Sequence, residues 1–156
     1  MEEFINLCSA LLTPLIALIA LWIAYQQMKS NRDKVRLDLF EKRMKIFLIV
    51  RESLGTILAD GSSKNINWKD FHFAIEQSKF ILSEELQEFL TEIETKTRQI
   101  RAQEVLLFGV NDRGGVPIGE RRNKICEENS ELLKWLTDQF EPLQNRFAKF
   151  MKMNKI

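Results

Sequence analysis

The sequence predicts an all-α fold: an N-terminal transmembrane helix over residues 1–27, leading into a cytoplasmic helical bundle over residues 28–156, assembled as an oligomer. Three observations predict it. Phe4 to Tyr25 (FINLCSALLTPLIALIALWIAY) holds no charged residue, whereas the rest of the chain is rich in them. Beyond that stretch, apolar residues recur at i, i+3, i+4 and i+7, the period of one helix face. No run alternates apolar and polar residues for long enough to be a strand.

As a helix, Phe4–Tyr25 rises ~33 Å at ~1.5 Å per residue, enough for a hydrocarbon core of ~30 Å. A cleaved signal peptide fits less well, because the chain starts Met1-Glu2-Glu3 and the apolar run is long. A buried core helix also fits less well, since the run is apolar on all sides and bases follow it directly. Lys29, Arg32, Lys34, Arg36, Lys42, Arg43 and Lys45 all lie after the stretch and no base lies before it. The positive-inside rule then places the N-terminus outside and the body in the cytoplasm of a bacterial inner membrane. Trp22 and Tyr25 fall at the cytoplasmic interface, and Pro14 removes one backbone donor, predicting a modest kink beside Thr13.

Small and polar residues of the span gather on one side. At ~100° per residue, Asn6, Ser9, Ala10, Thr13, Ala17, Ala20 and Ala24 fall within an arc of roughly 100°. Helices in a bilayer associate through close packing of small residues, since lipid tails are as apolar as Leu. The stripe therefore predicts a homo-oligomer, with Asn6, Ser9 and Thr13 lining either a dry bundle or a narrow pore. A lone anchor with chance clustering is the alternative.

The rest of the chain is long enough for one domain with a real core. The formal net charge of the whole chain, +1, excludes a strongly basic nucleic-acid binder by charge alone, although bases cluster locally. Cys8 in the span and Cys126 in the body cannot pair within one chain, and Cys126 in a reducing cytoplasm is expected to be free. Met28 to Ala59 reads as one long helix, with Leu37, Phe40, Met44, Phe47, Leu48, Leu54 and Leu58 on its apolar face and Asp60-Gly61 as its stop. A polar connection, Gly61 to Asn67, leads to a helix from Trp68 to Leu82 with Trp68, Phe71, Ala74, Ile75 and Phe80 in reach of a core. Ser83 is a good N-cap for the next helix, which runs to Phe108 with Leu86, Phe89, Leu90, Ile93 and Ile100 as its buried seam. Glu92, Glu94, Lys96 and Arg98 are expected on its exposed face. The glycine-rich segment Gly109 to Gly119 reads as a loop. From Glu120 the chain is helical again, with Leu132, Leu133, Trp135, Leu136 and Phe140 apolar, a break at Pro142 after Glu141, and Phe147, Phe150 and Met151 continuing the pattern. About four cytoplasmic helices result.

Catalytic chemistry is thinly provided. His72 is the one histidine, it has no Cys or His at metal spacing, and no nucleophile-elbow sequence occurs. The chain is accordingly expected to be neither an enzyme nor a holder of a metal or cofactor. The glycine loop lacks the Gly-Lys-Ser/Thr ending of a P-loop and does not follow a strand. Arg113, Arg121, Arg122 and Lys124 nevertheless flank it, and bases at a helix start could hold an anionic ligand such as an oligonucleotide. The juxtamembrane bases from Lys29 to Lys45 are explained by topology and by attraction to anionic lipid, with a nucleic-acid site as the alternative.

The run Tyr25-Gln-Gln, Asn31-Arg-Asp-Lys34 and Leu37-Asp-Leu-Phe-Glu-Lys-Arg43, with Phe140-Glu-Pro-Leu143 near the other end, resembles a group of small bacterial membrane proteins. These carry one N-terminal span and an Asn-x-x-Lys-x-x-Leu-Asp-Leu-Phe-Asp-x-Arg signature, from which Glu41 departs. In architecture, though not by a motif, the chain is also similar to the Hailong-type membrane effectors of anti-phage systems. That resemblance implies a tetramer-like, channel-like homo-oligomer that ends infection abortively by depolarising the membrane. It further implies a cytoplasmic body sensing an oligonucleotide made by a partner nucleotidyltransferase. The rival expectation is a non-conducting anchor whose helical domain recruits a cytoplasmic partner.

Overall fold

The computed structural model of the chain describes the backbone of residues 2–110 and 113–153, and the side chains of residues 12, 14–109 and 114–152. Helices α1 (Glu2–Asp60), α2 (Trp68–Ile81) and α3 (Glu84–Phe108) are followed by strands β1 (Gly109–Val110) and β2 (Arg113–Gly114), then by α4 (Glu120–Asp138) and α5 (Phe140–Met153). The fold is all-α apart from the two-residue antiparallel ladder, which pairs Gly109 with Gly114 and Val110 with Arg113. A ladder this short has no period to read in a sequence.

The chain divides into two compact units, Met1–Phe40 and Glu41–Ile156. Residues 28–40 are exposed throughout, and the buried stripe of α1 begins at Ile46. The first unit is α1 alone, and the helix runs through Pro14 without interruption. Every described side chain from Leu12 to Phe40 is exposed. The predicted span lies partly outside the described residues, and among the described residues no helix is long and apolar enough to cross a membrane.

The second unit is built around α3, which packs against both α2 and α4, while α4 packs against α5. From α1 the core receives Ile46, Val50, Leu54 and Ile57, all within 1% of complete burial. Their spacing of four, four and three keeps one face inward over three turns. The expected face holds in part: Leu54 is buried and Phe47 and Leu58 pack half-buried against the core, but Leu48 is 49% exposed, and Leu37 and Phe40 lie in the first unit and are exposed too. Ile46 to Val50 is apolar at every position, so periodicity could not choose among its faces. The expected α3 seam of Leu86, Phe89, Leu90, Ile93 and Ile100 is buried, and it meets Phe71, Ala74 and Ile75 of α2. Phe80, expected near the core, is 88% exposed. Leu136, Leu143 and Phe147 close the other side, and the Phe147 ring lies 5.3 Å from that of Phe47. Each buried Leu, Ile or Phe contributes roughly 1.5–3 kcal/mol relative to exposure.

Element ends follow from local chemistry. Gly61, at φ +60°, ends α1, and the Ser62 amide donates back to the Ile57 carbonyl at 3.2 Å. Asn67 caps α2 by accepting from the Asp70 amide. Ser83 stands at the N-cap of α3 in extended backbone, but its side chain makes no cap bond; its carbonyl accepts from the Leu86 and Gln87 amides. The break expected after Glu141 comes earlier: α4 ends at Asp138 and Pro142 is the third residue of α5. A proline ring collides with the carbonyl four residues back, here that of Asp138, and its missing N–H does no harm in a first turn. The expected break is present, three residues earlier than expected.

Candidate functional site

A groove of about 1080 Å³ runs between α2 and α3 within the second unit. Its floor is apolar. Phe73 comes from α2, and Ala102, Val105 and Leu106 from α3. These residues are one or two positions out of phase with the buried seams, next to Phe71 and Leu107, so they project beside the core. Along the rim lie Lys69, His72, Arg98 and Arg101. The Arg101 guanidinium sits 4.9 Å above the Trp68 ring, and the Trp68 indole donates to the Ser63 carbonyl at 3.1 Å.

Beneath one end of the groove, Glu94 joins the two helices. Its Oε1 accepts from Arg98 Nη2 at 2.7 Å and from Arg98 Nε at 3.1 Å, and it lies 2.7 Å from His72 Nδ1. With the ring proton on Nδ1, the imidazole donates to the carboxylate. Burial alone would raise the Glu94 pKa, but the hydrogen bonds and charges of Arg98 and His72 outweigh it and hold the carboxyl below its ordinary value. Glu94 was expected on an exposed face and is 9% exposed. An Arg four residues on and a His on another helix turn it inward, and only the first of these partners is visible in the sequence.

The bases flanking the glycine loop have separate environments. The side chain of Arg113 lies outside the described residues. Arg122 Nη1 donates to the carbonyls of Leu107 and Val116, both at 2.9 Å, and its guanidinium lies 5.7 Å from the Phe108 ring centroid. Val116 N–H donates in turn to the Leu106 carbonyl at 2.9 Å. Two of the free carbonyls at the end of α3 are thereby satisfied. Arg121 and Lys124 are exposed on the first turns of α4. Of the self-association stripe, Ala17, Ala20 and Ala24 are exposed, and Asn6, Ser9, Ala10 and Thr13 lie outside the described side chains.

Sequence reading missed the α2–α3 groove. The available signal was a surplus of apolar residues off the seam: Phe73 beside Phe71, and Val105 and Leu106 beside Leu107. Comparison with protein-family models, with curated proteins and with solved structures found no match for the chain.

Proposed function

We propose that the protein is a homo-oligomeric inner-membrane effector of bacterial anti-phage defence, channel-like, in which a cytoplasmic helical body senses a signal and controls depolarisation of the membrane. The observation that carries the membrane part is the first unit. From Leu12 to Tyr25 its large apolar side chains are exposed on every side of one helix, among them Leu15, Ile16, Leu18, Ile19, Leu21 and Trp22 at 51–68%. The uncharged sequence continues back to Phe4. Apolar surface of this extent needs lipid or further protein around it. Ala17, Ala20 and Ala24 on one side support self-contact. The defence and channel parts follow from the signature and architecture quoted above. An oligonucleotide signal would find Arg121 and Lys124 exposed at the start of α4. A signal opens such an assembly only by binding its closed and open states unequally.

Ala17→Leu and Ala20→Leu test the proposal. Each is expected to abolish the toxicity of the overproduced protein and to reduce the cross-linked oligomer to monomer, while membrane insertion persists. Unchanged toxicity with unchanged oligomer size would overturn it.

A second reading is a non-conducting anchor that recruits a cytoplasmic partner. The open α2–α3 groove favours it. Under that reading the span is a tether, with no part in conduction.

A further inference from the structure

The floor of the α2–α3 groove is open. Phe73, Val105 and Leu106 are 58%, 44% and 47% exposed. A concave apolar surface with a few fixed polar groups at its edge is the usual form of a recognition site. Its charge is one-sided. Glu76 pairs with Lys79 at 2.8 Å and Glu94 with Arg98 at 2.7 Å, whereas Lys69 and Arg101 have no carboxylate partner among the described residues. We propose that this groove docks an acidic amphipathic helix of a partner protein.

The dimensions suit a helix. Lys69 to Glu76 on α2 and Arg98 to Leu106 on α3 border the trough over ~10–12 Å at ~1.5 Å per residue, about two turns of a third helix laid between them. Two Leu- or Phe-sized anchors at i and i+3 or i+4 would reach the floor formed by Phe73, Val105 and Leu106. Asp or Glu on the flanks would meet Lys69 and Arg101. A second copy of this chain is a poor occupant: its exposed apolar stretch, Leu12 to Met28, holds no acidic residue to meet Lys69 and Arg101, and the residues that follow it carry Lys29, Arg32, Lys34 and Arg36 against only Asp33 and Asp38. A nucleic acid is also poorly served, because Arg101 already covers the Trp68 ring and the rest of the floor is mostly aliphatic, offering bases little to stack on. The site lies wholly in the second unit and does not depend on the membrane reading.

The test is selection of a displayed library of 12-residue peptides on the full-length chain held in phosphatidylcholine nanodiscs. The peptides recovered should carry large apolar residues at i and i+3 or i+4, with Asp or Glu on the flanks. Their binding should weaken with added salt, at least tenfold with Phe73→Glu or Val105→Glu, and several-fold with Arg101→Ala or Lys69→Ala. Ile118→Glu, at a residue 94% exposed elsewhere, should leave it unchanged. The alanine variants keep the test valid if either glutamate variant melts early. Recovery of basic or unpatterned peptides, no enrichment, or binding indifferent to all four groove variants would overturn the proposal. So would groove-dependent binding of phosphatidylglycerol vesicles or a 12-nucleotide single-stranded DNA in place of the peptides.

Discussion

Ser63 and Glu104 form a buried side chain–side chain hydrogen bond in the second unit. The Ser63 amide donates to Glu104 Oε1 at 2.8 Å and its hydroxyl to Oε2 at 2.5 Å, with the two residues 0% and 4% exposed. The pair fastens the connection after α1 to the C-terminal half of α3. Ser63→Ala would strip one donor from a buried carboxylate oxygen, and a loss of about 1–3 kcal/mol is expected from urea denaturation of the full chain. Glu94 gives a second expectation at this scale. A carboxyl with a lowered folded-state pKa adds stability above its ordinary value of 4.5, and that stability is lost as pH falls through the lowered value. Thermal melts should therefore show Tm falling below about pH 4.5, and Glu94→Gln should flatten that fall while costing about 1 kcal/mol at neutral pH. Neither cluster was legible in advance. Ser63 reads as one more polar loop residue, and its partner is 41 positions away.

At the scale of elements, the glycine loop is a clasp on the end of α3. Gly109, at φ +78°, ends the helix, and Gly114, at φ +80°, turns the chain back, two conformations that side chains with a Cβ rarely adopt. Gly115 then lies so close to α3 that a Cβ there would overlap the Leu107 carbonyl, the same oxygen that Arg122 holds. Gly115→Ala should therefore force a backbone shift and lower stability by about 1–3 kcal/mol, read by denaturation. Arg122→Lys should loosen the loop to proteolysis, because an ammonium lacks the planar guanidinium that donates from Nη1 to both carbonyls while lying 5.7 Å from the Phe108 ring centroid. The sequence showed a loop with bases around it, which suited an anion as well as a carbonyl. Only the path of the backbone assigns Arg122 to the carbonyls.

At the scale of the whole molecule, the two units have opposite surfaces. The first unit exposes every described apolar side chain, whereas the second buries most of its own in one core and leaves Phe73, Val105 and Leu106 open in the groove and Leu48, Phe80, Phe108 and Ile118 exposed elsewhere. The two readings of function divide here. Replacing Phe4 to Tyr25 by an unrelated spanning helix should abolish depolarisation of induced cells, measured with a potential-sensitive dye, if the span conducts. Retained activity with the swapped span would favour the tethered recruiter.

By itself, the sequence determined the all-α class, the α3 seam from Leu86 to Ile100, the ends of α2 and α3 to within a residue, and the uncharged character of Phe4–Tyr25. Each of these depends on residues near one another in the chain, where helical period, glycine and charge act directly. Tertiary structure decided which face of the wholly apolar Ile46–Val50 run turns inward, that Glu94 is buried, that Arg122 clasps α3, and that an apolar trough stays open between α2 and α3. Those outcomes depend on which elements pack together, and burial and pairing across tens of residues leave no periodic trace in a single sequence.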